Sequence, residues 1–182
     1  MTHTDLTRHW PSRWQATPPI YAEATPSEAL RGKGPQLALL GRAGTGKTWQ
    51  LWGFKAHQQA KADPMRRPCM WIISEAADIE AHRWNVEWLT AVAEYDGILA
   101  VDDLGYRCQR PDSEPSEWAS HAAYVIADAR VNFRRRTIWT SNLTKERIAA
   151  TYGEATASRI CSCAVVEGGG HDRRKNKGDQ NA

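Results

Sequence analysis

Apolar and polar residues follow no sustained period over the first 35 positions, where Pro11, Pro18, Pro19, Pro26 and Pro35 punctuate the chain. A leader or partner-binding segment is expected there, in which Trp10 and Trp14, four residues apart, can share one helical turn that docks on the body or on a partner, the body being favoured. From residue 36 the pattern changes. Residues 36–40 form a short apolar run that predicts a strand, a glycine-rich turn follows, and 48–61 has the length of a helix. A second strand is expected over 69–74, then a mixed helical stretch with Trp84 and Trp88 one turn apart, and a third strand over 97–101 that ends in two aspartates. Beyond a loop over 105–116, the apolar positions Trp118, Ala122, Val125, Ile126, Ala129 and Phe133 mark one face of an amphipathic helix.

A fourth strand is predicted over 136–140. Thr144 follows as a helix N-cap, Leu143 and Ile148 are spaced as a hydrophobic staple, and Gly153 suits the left-handed residue that ends that helix. A short helix over 154–160, a fifth strand over 162–167 and a polar, glycine-rich tail complete the pattern. Strands alternate with helices throughout, so the expected fold class is α/β, a parallel sheet with helices on both faces. The expected division is a leader over 1–35, a core over 36–167 and a disordered tail over 168–182.

Composition changes this picture little. The 182 residues, 41% apolar and 25% charged, match one globular domain. No apolar run approaches the roughly 20 residues that cross a bilayer, and the start lacks a signal peptide, so a cytoplasmic protein without a membrane partner is expected. Cys69, Cys108, Cys161 and Cys163 lack CxxC spacing and are expected to be reduced; Cys161, Cys163 and His171 match no common zinc site. Of the nine tryptophans, Trp49, Trp52, Trp71, Trp118 and Trp139 fall where a core is expected, while Trp84 and Trp88, among acids, suit a protein partner better than DNA.

The net charge of +3 is small but unevenly spread. Residues 75–96 hold six carboxylates against Arg83, and residues 130–147 hold six basic side chains against Glu146. If single-stranded DNA is bound, Arg134, Arg135, Arg136 and Lys145 are the candidates; a solvated helix end and loop is the alternative.

The chemistry lies in the run Gly41, Arg42, Ala43, Gly44, Thr45, Gly46, Lys47, Thr48, which fits GxxxxGK[ST] between an expected strand and an expected helix. Glycines there let backbone N–H groups close around phosphate oxygens, Lys47 can reach the β- and γ-phosphates of ATP, and the Thr48 hydroxyl can hold Mg²⁺. Asp102, at the end of an apolar strand, is the expected metal-side carboxylate. Asp103 is placed to polarise water, with a side chain one methylene shorter than glutamate. Asn142, after the fourth strand, is placed to orient that water or sense the γ-phosphate.

The runs GRAGTGKT and AVDDLG, the segment ADARVNFRRRTIWTSNLTKERIAATYGEATASRI and the closing VVEGGGHDRR resemble the AAA+ ATPase core of DnaC-type replicative helicase loaders and the related IstB-like transposition helpers, over residues 35–174. The resemblance implies slow ATP hydrolysis, ATP-dependent self-assembly, action on a helicase or a transposase, and little or no C-terminal lid. It also implies that Asn142 is the sensor and that Arg159 is an arginine finger acting in a neighbouring subunit's site, with Arg173 near the family's closing arginine. The short leader leaves helicase contact reduced to a peptide, as a compact phage or mobile-element version would have it. Two further readings stay open on the residues alone: a small-molecule kinase, for which no acceptor lid is visible, and a nucleotide-switched binding module with little hydrolysis.

Overall fold

The computed structural model describes residues 30, 32, 34–61, 70–109 and 113–168. Trp10, Trp14, Cys69, His171, Arg173 and most of the expected tail lie outside them. The elements run β1 (Gln36–Gly41), α1 (Lys47–Lys61), β2 (Met70–Ser74), a π-helical turn (Glu75–Ile79), α2 (Val86–Ala93), β3 (Ile98–Leu104), a 3₁₀ turn (Tyr106–Gln109), α3 (Glu117–Asn132), β4 (Thr137–Ser141), α4 (Lys145–Tyr152), α5 (Glu154–Ile160) and β5 (Ala164–Gly168). All strand pairings are parallel, in the order β2-β3-β4-β1-β5.

The period of two within each strand sorts side chains onto two buried faces. Leu37, Leu39, Ile72, Ala100 and Ile138 pack with Leu51, Trp52 and Phe54 of α1, joined by Leu30. Ala38, Leu40, Trp71, Ile73, Leu99, Val101 and Trp139 pack on the other side against α2, α3, α4 and α5. Side-chain caps start three of those helices: Asn85 accepts from the Trp88 amide at 2.9 Å, Ser116 from Ala119 at 3.0 Å and Thr144 from Arg147 at 3.2 Å. Leu143 and Ile148 are buried in one cluster, as a staple requires.

Three details depart from the pattern-based expectation. The helical stretch starts at Val86, and Trp84 stands before it at φ 62°, 59% exposed, whereas Trp88 is buried and stacked on His82. Phe133 does not belong to the buried face of α3. It caps the helix and is 61% exposed, because the chain turns at Arg134, φ 50°. Gly153 has the positive φ expected, 88°, but with ψ 151° it leaves α4 extended rather than left-handed helical. A Cβ there would meet nothing within 4 Å, so backbone conformation alone calls for glycine.

Arg130 is wholly buried although basic. Its guanidinium donates to Thr137 Oγ1, to the carbonyl of Tyr95 and to the carbonyls of Gly97 and Arg136, at 2.6–2.8 Å. It thereby ties the end of α3 to the starts of β3 and β4.

Candidate nucleotide site

β1 ends in a loop whose glycines Gly41, Gly44 and Gly46 have φ of 135°, 82° and 89°, conformations that side chains oppose. Gly44 and Gly46, left-handed between residues of negative φ and just before a helix, are the alternation that turns N–H groups toward one concavity, the physical basis of an anion nest. Thr45 Oγ1 closes the loop on the carbonyl of Arg42 at 3.0 Å. Arg42 and Ala43 are exposed, and Gly44, Gly46 and Thr48 are half-buried.

Lys47, the first residue of α1, is buried. Its Nζ donates to the carbonyl of Gly41 at 2.7 Å, to that of Arg42 at 2.9 Å and to Asn142 Oδ1 at 2.8 Å. The strand order explains the last contact. β4 lies between β1 and β3, so the residue following β4 stands between the loop and the aspartates. One position along α1, Thr48 Oγ1 donates to Asp102 Oδ1 at 3.2 Å.

Asp102 and Asp103 sit in a β-bulge. Val101 pairs with Trp139 and Leu104 with Ser141, so two residues of β3 oppose Thr140 alone. Thr140 Oγ1 accepts from the Asp103 amide at 2.9 Å and donates to Asp102 Oδ1 at 2.5 Å. Ser141 Oγ donates to the carbonyl of Leu104 at 2.6 Å, holding the far side. Asp103 lies at φ 55°, half-buried. Asp102 is 7% exposed, and burial, then the charge of Asp103, push its pKa up to about 6, while bonds from Thr140 and Thr48 act in the opposite sense.

Glu75 completes the neighbourhood. At 1% exposure, its Oε2 accepts from the Gly105 amide at 2.9 Å and from the Tyr152 hydroxyl at 2.5 Å. Burial raises its pKa against the lowering effect of these bonds. Gly105, at φ 77°, holds a backbone conformation that side chains oppose, and a Cβ there would also press on Leu143 Cδ1 at 2.5 Å.

Two oxygen donors, one on a buried carboxylate, suit a hard cation that takes its other ligands from water and phosphate. Among the described residues no group of three or more His, Cys, Asp or Glu is placed to hold a metal. The glycine loop, Lys47, Thr48 and Asp102 are a donor set of the kind that suits a nucleoside triphosphate with a hard cation.

Other expected residues fall elsewhere. Arg159, near the end of α5, donates from Nε to Asp128 Oδ1 of α3 at 2.7 Å and from Nη1 to the carbonyl of Ala155 at 3.0 Å. The four DNA candidates do not form one patch. Arg134, Arg135 and Arg136 precede β4 while Lys145 follows it, so a strand of roughly 16 Å, at about 3.3 Å per residue, separates them. Arg136 is also engaged, bonding the carbonyls of Leu30, Gly32 and Gly34. Thr140, Glu75 and Asp128 were not legible as site residues: a threonine in a strand and acids in mixed runs carry no spacing signal.

Neither the protein-family models nor the curated proteins match this sequence. Solved structures do. The AMPPCP-bound DnaA of Aquifex aeolicus superposes with a TM-score of 0.61 at 17% identity, over 78% of this chain and 43% of that one. The DnaC helicase loader gives 0.62 at 17% identity, over 84% of this chain and 100% of that one. DnaI gives 0.59 at 20% identity, over 85% and 81%. This chain thus spans less than half of the DnaA structure it matches. Among the described residues no helix is long and apolar enough to cross a membrane. With its five parallel strands and the glycine-rich loop after β1, the chain shares the fold of these structures, a P-loop type of parallel sheet flanked by helices.

Proposed function

We propose that this chain is a Mg-ATP-dependent ATPase of AAA+ type that serves DNA replication, acting on a helicase or DNA-bound partner through ATP-driven assembly with copies of itself. The observation that carries this reading is the convergence of Lys47 on Asn142 and of Thr48 on Asp102 beside the glycine loop. The backbone amides of residues 41–46 hold phosphate oxygens, and Lys47 exchanges a carbonyl partner for one of them. Thr48 and Asp102 hold Mg²⁺, which when bound supplies neutralisation of the phosphate charge. Asp103 orients and deprotonates the attacking water, Asn142 senses the γ-phosphate, and Arg159 of a neighbouring subunit stabilises the charge that develops in transfer. Several solved structures of similar fold are named for replication initiation and one for helicase loading, which favours this reading over the transposition helper.

Asp103→Asn tests the assignment. Hydrolysis should fall on the order of 10²-fold, the scale of general base catalysis, while ATP affinity stays within about threefold. Hydrolysis at the parental rate would remove Asp103 from the chemistry. The short side chain of Asp103 on a left-handed backbone favours one other reading, a nucleotide-switched binding module. Tight ATP binding by the wild type with no turnover in the presence of its partners would select it.

A further inference from the structure

Arg159 does not lie loose on the surface. Its Nε is fixed by Asp128, its Nη1 by the Ala155 carbonyl one turn back, and its guanidinium sits 5.1 Å from the centre of the Tyr124 ring. Asp128 is itself steadied by Asn132 Nδ2 at 3.0 Å. A guanidinium has five N–H donors, and these contacts occupy two, one on Nε and one on Nη1. The side chain remains 31% exposed.

The position of Arg159 in the fold rules out service at its own site. α5 leads from Gly153 toward the start of β5, which pairs with Leu37 at the start of β1, whereas the glycine loop follows the other end of β1. A six-residue strand, roughly 20 Å at about 3.3 Å per residue, lies between those ends. Free N–H donors on a restrained guanidinium at this place can meet a phosphate only on another molecule.

We propose that Asp128 and Tyr124 are positioning residues for Arg159, holding its guanidinium in place on α5 before it meets a nucleotide. The proposal rests on the trans role of Arg159 given above and adds what makes that role efficient. An arginine side chain has much rotamer freedom, which an insertion into a neighbour's site must remove. Asp128 and Tyr124 remove it before assembly, and the Nη2 donors stay available for the triphosphate.

The test separates the finger donor from the site donor. Lys47→Ala subunits lack a working loop but carry the finger; Arg159→Ala subunits carry the loop but no finger. Mixed, they should recover part of the ATPase rate. Asp128→Ala placed in the Lys47→Ala subunit should lower the recovered rate about 2- to 5-fold, the scale of a partly exposed ion pair. Asp128→Glu in the same subunit should restore part of it. Asp128→Ala placed in the Arg159→Ala subunit, whose finger is already gone, should leave the recovered rate as it was. Equal loss in both subunits, no loss in either, or a gain in the finger donor would overturn the positioning role. No recovery in the parent mixture, with co-assembly of the two variants demonstrated, would overturn the trans reading itself and the proposal with it.

Discussion

A single hydroxyl organises both aspartates of the candidate site. Thr140 accepts from the Asp103 amide and donates to Asp102, so it sets the left-handed backbone of one and the carboxylate of the other. Thr140→Val keeps the shape and removes both bonds. Turnover should drop about tenfold or more through misplacement of the acid while ATP affinity changes little, and Thr140→Ser should recover much of the loss. Steady-state ATPase assays beside equilibrium binding measure the split; equal weakening of both would mean that Thr140 only supports the fold. Glu75 poses a different question, because a buried carboxylate with a raised pKa binds its proton more readily folded than unfolded. Its contribution to stability is greatest below the ordinary value of 4.5 and is lost as pH rises through the folded-state pKa. Glu75→Gln retains one oxygen for Gly105 and Tyr152 and removes the charge. The Tm of the variant relative to the wild type should therefore rise between pH 4.5 and 8, and a constant difference across that range would contradict the argument. Neither residue could be read from the chain. Lys47 and Thr48 could be singled out because they close the GxxxxGK[ST] spacing, and Asp102 because it ends an apolar strand, whereas Thr140 and Glu75 act through a bulge and a fold contact that only the three-dimensional register creates.

At the level of elements, strands and helices were legible where the pattern is periodic and lost where a polar residue or a turn intervenes. β3 extends past Val101 to Leu104 because the bulge lets the two aspartates stay in the sheet. The face of α3 was read correctly at Trp118, Ala122 and Ile126 and incorrectly at Phe133, since the helix stops at Asn132 and Arg134 turns the chain. Arg130 stood in a basic run, and nothing in that run says it is buried. Its four hydrogen bonds make it the clamp between α3 and the starts of β3 and β4. Arg130→Met fills the space but takes the guanidinium donors from the carbonyls of Tyr95 and Gly97, while that of Arg136 still accepts from the Leu99 amide at 3.1 Å. At about 1–3 kcal/mol for each of the two, urea unfolding should show a loss of at least about 2 kcal/mol. Arg130→Lys should lose less. A loss under about 1 kcal/mol for Arg130→Met would mean that those carbonyls find water instead.

For the molecule as a whole, sheet order does the functional work. Placing β4 between β1 and β3 brings the glycine loop, Asn142 and the aspartates, from distant parts of the sequence, to one end of the sheet. The same topology sends Arg134, Arg135 and Arg136 to the other end, away from Lys145, so charge that looks contiguous in sequence is divided in space. Similarity to AMPPCP-bound DnaA and to the DnaC and DnaI structures extends to the fold at identities of 17–20%. Whether that fold binds nucleotide here depends on the residues at the end of the sheet. Calorimetric titration of Mg-ATP into the wild type and into Lys47→Ala tests this most directly. Saturable binding at one site per chain by the wild type, with binding abolished or greatly weakened in a Lys47→Ala variant that unfolds at the same temperature, is the predicted result. Undiminished affinity in Lys47→Ala, or no binding by the wild type, would contradict it.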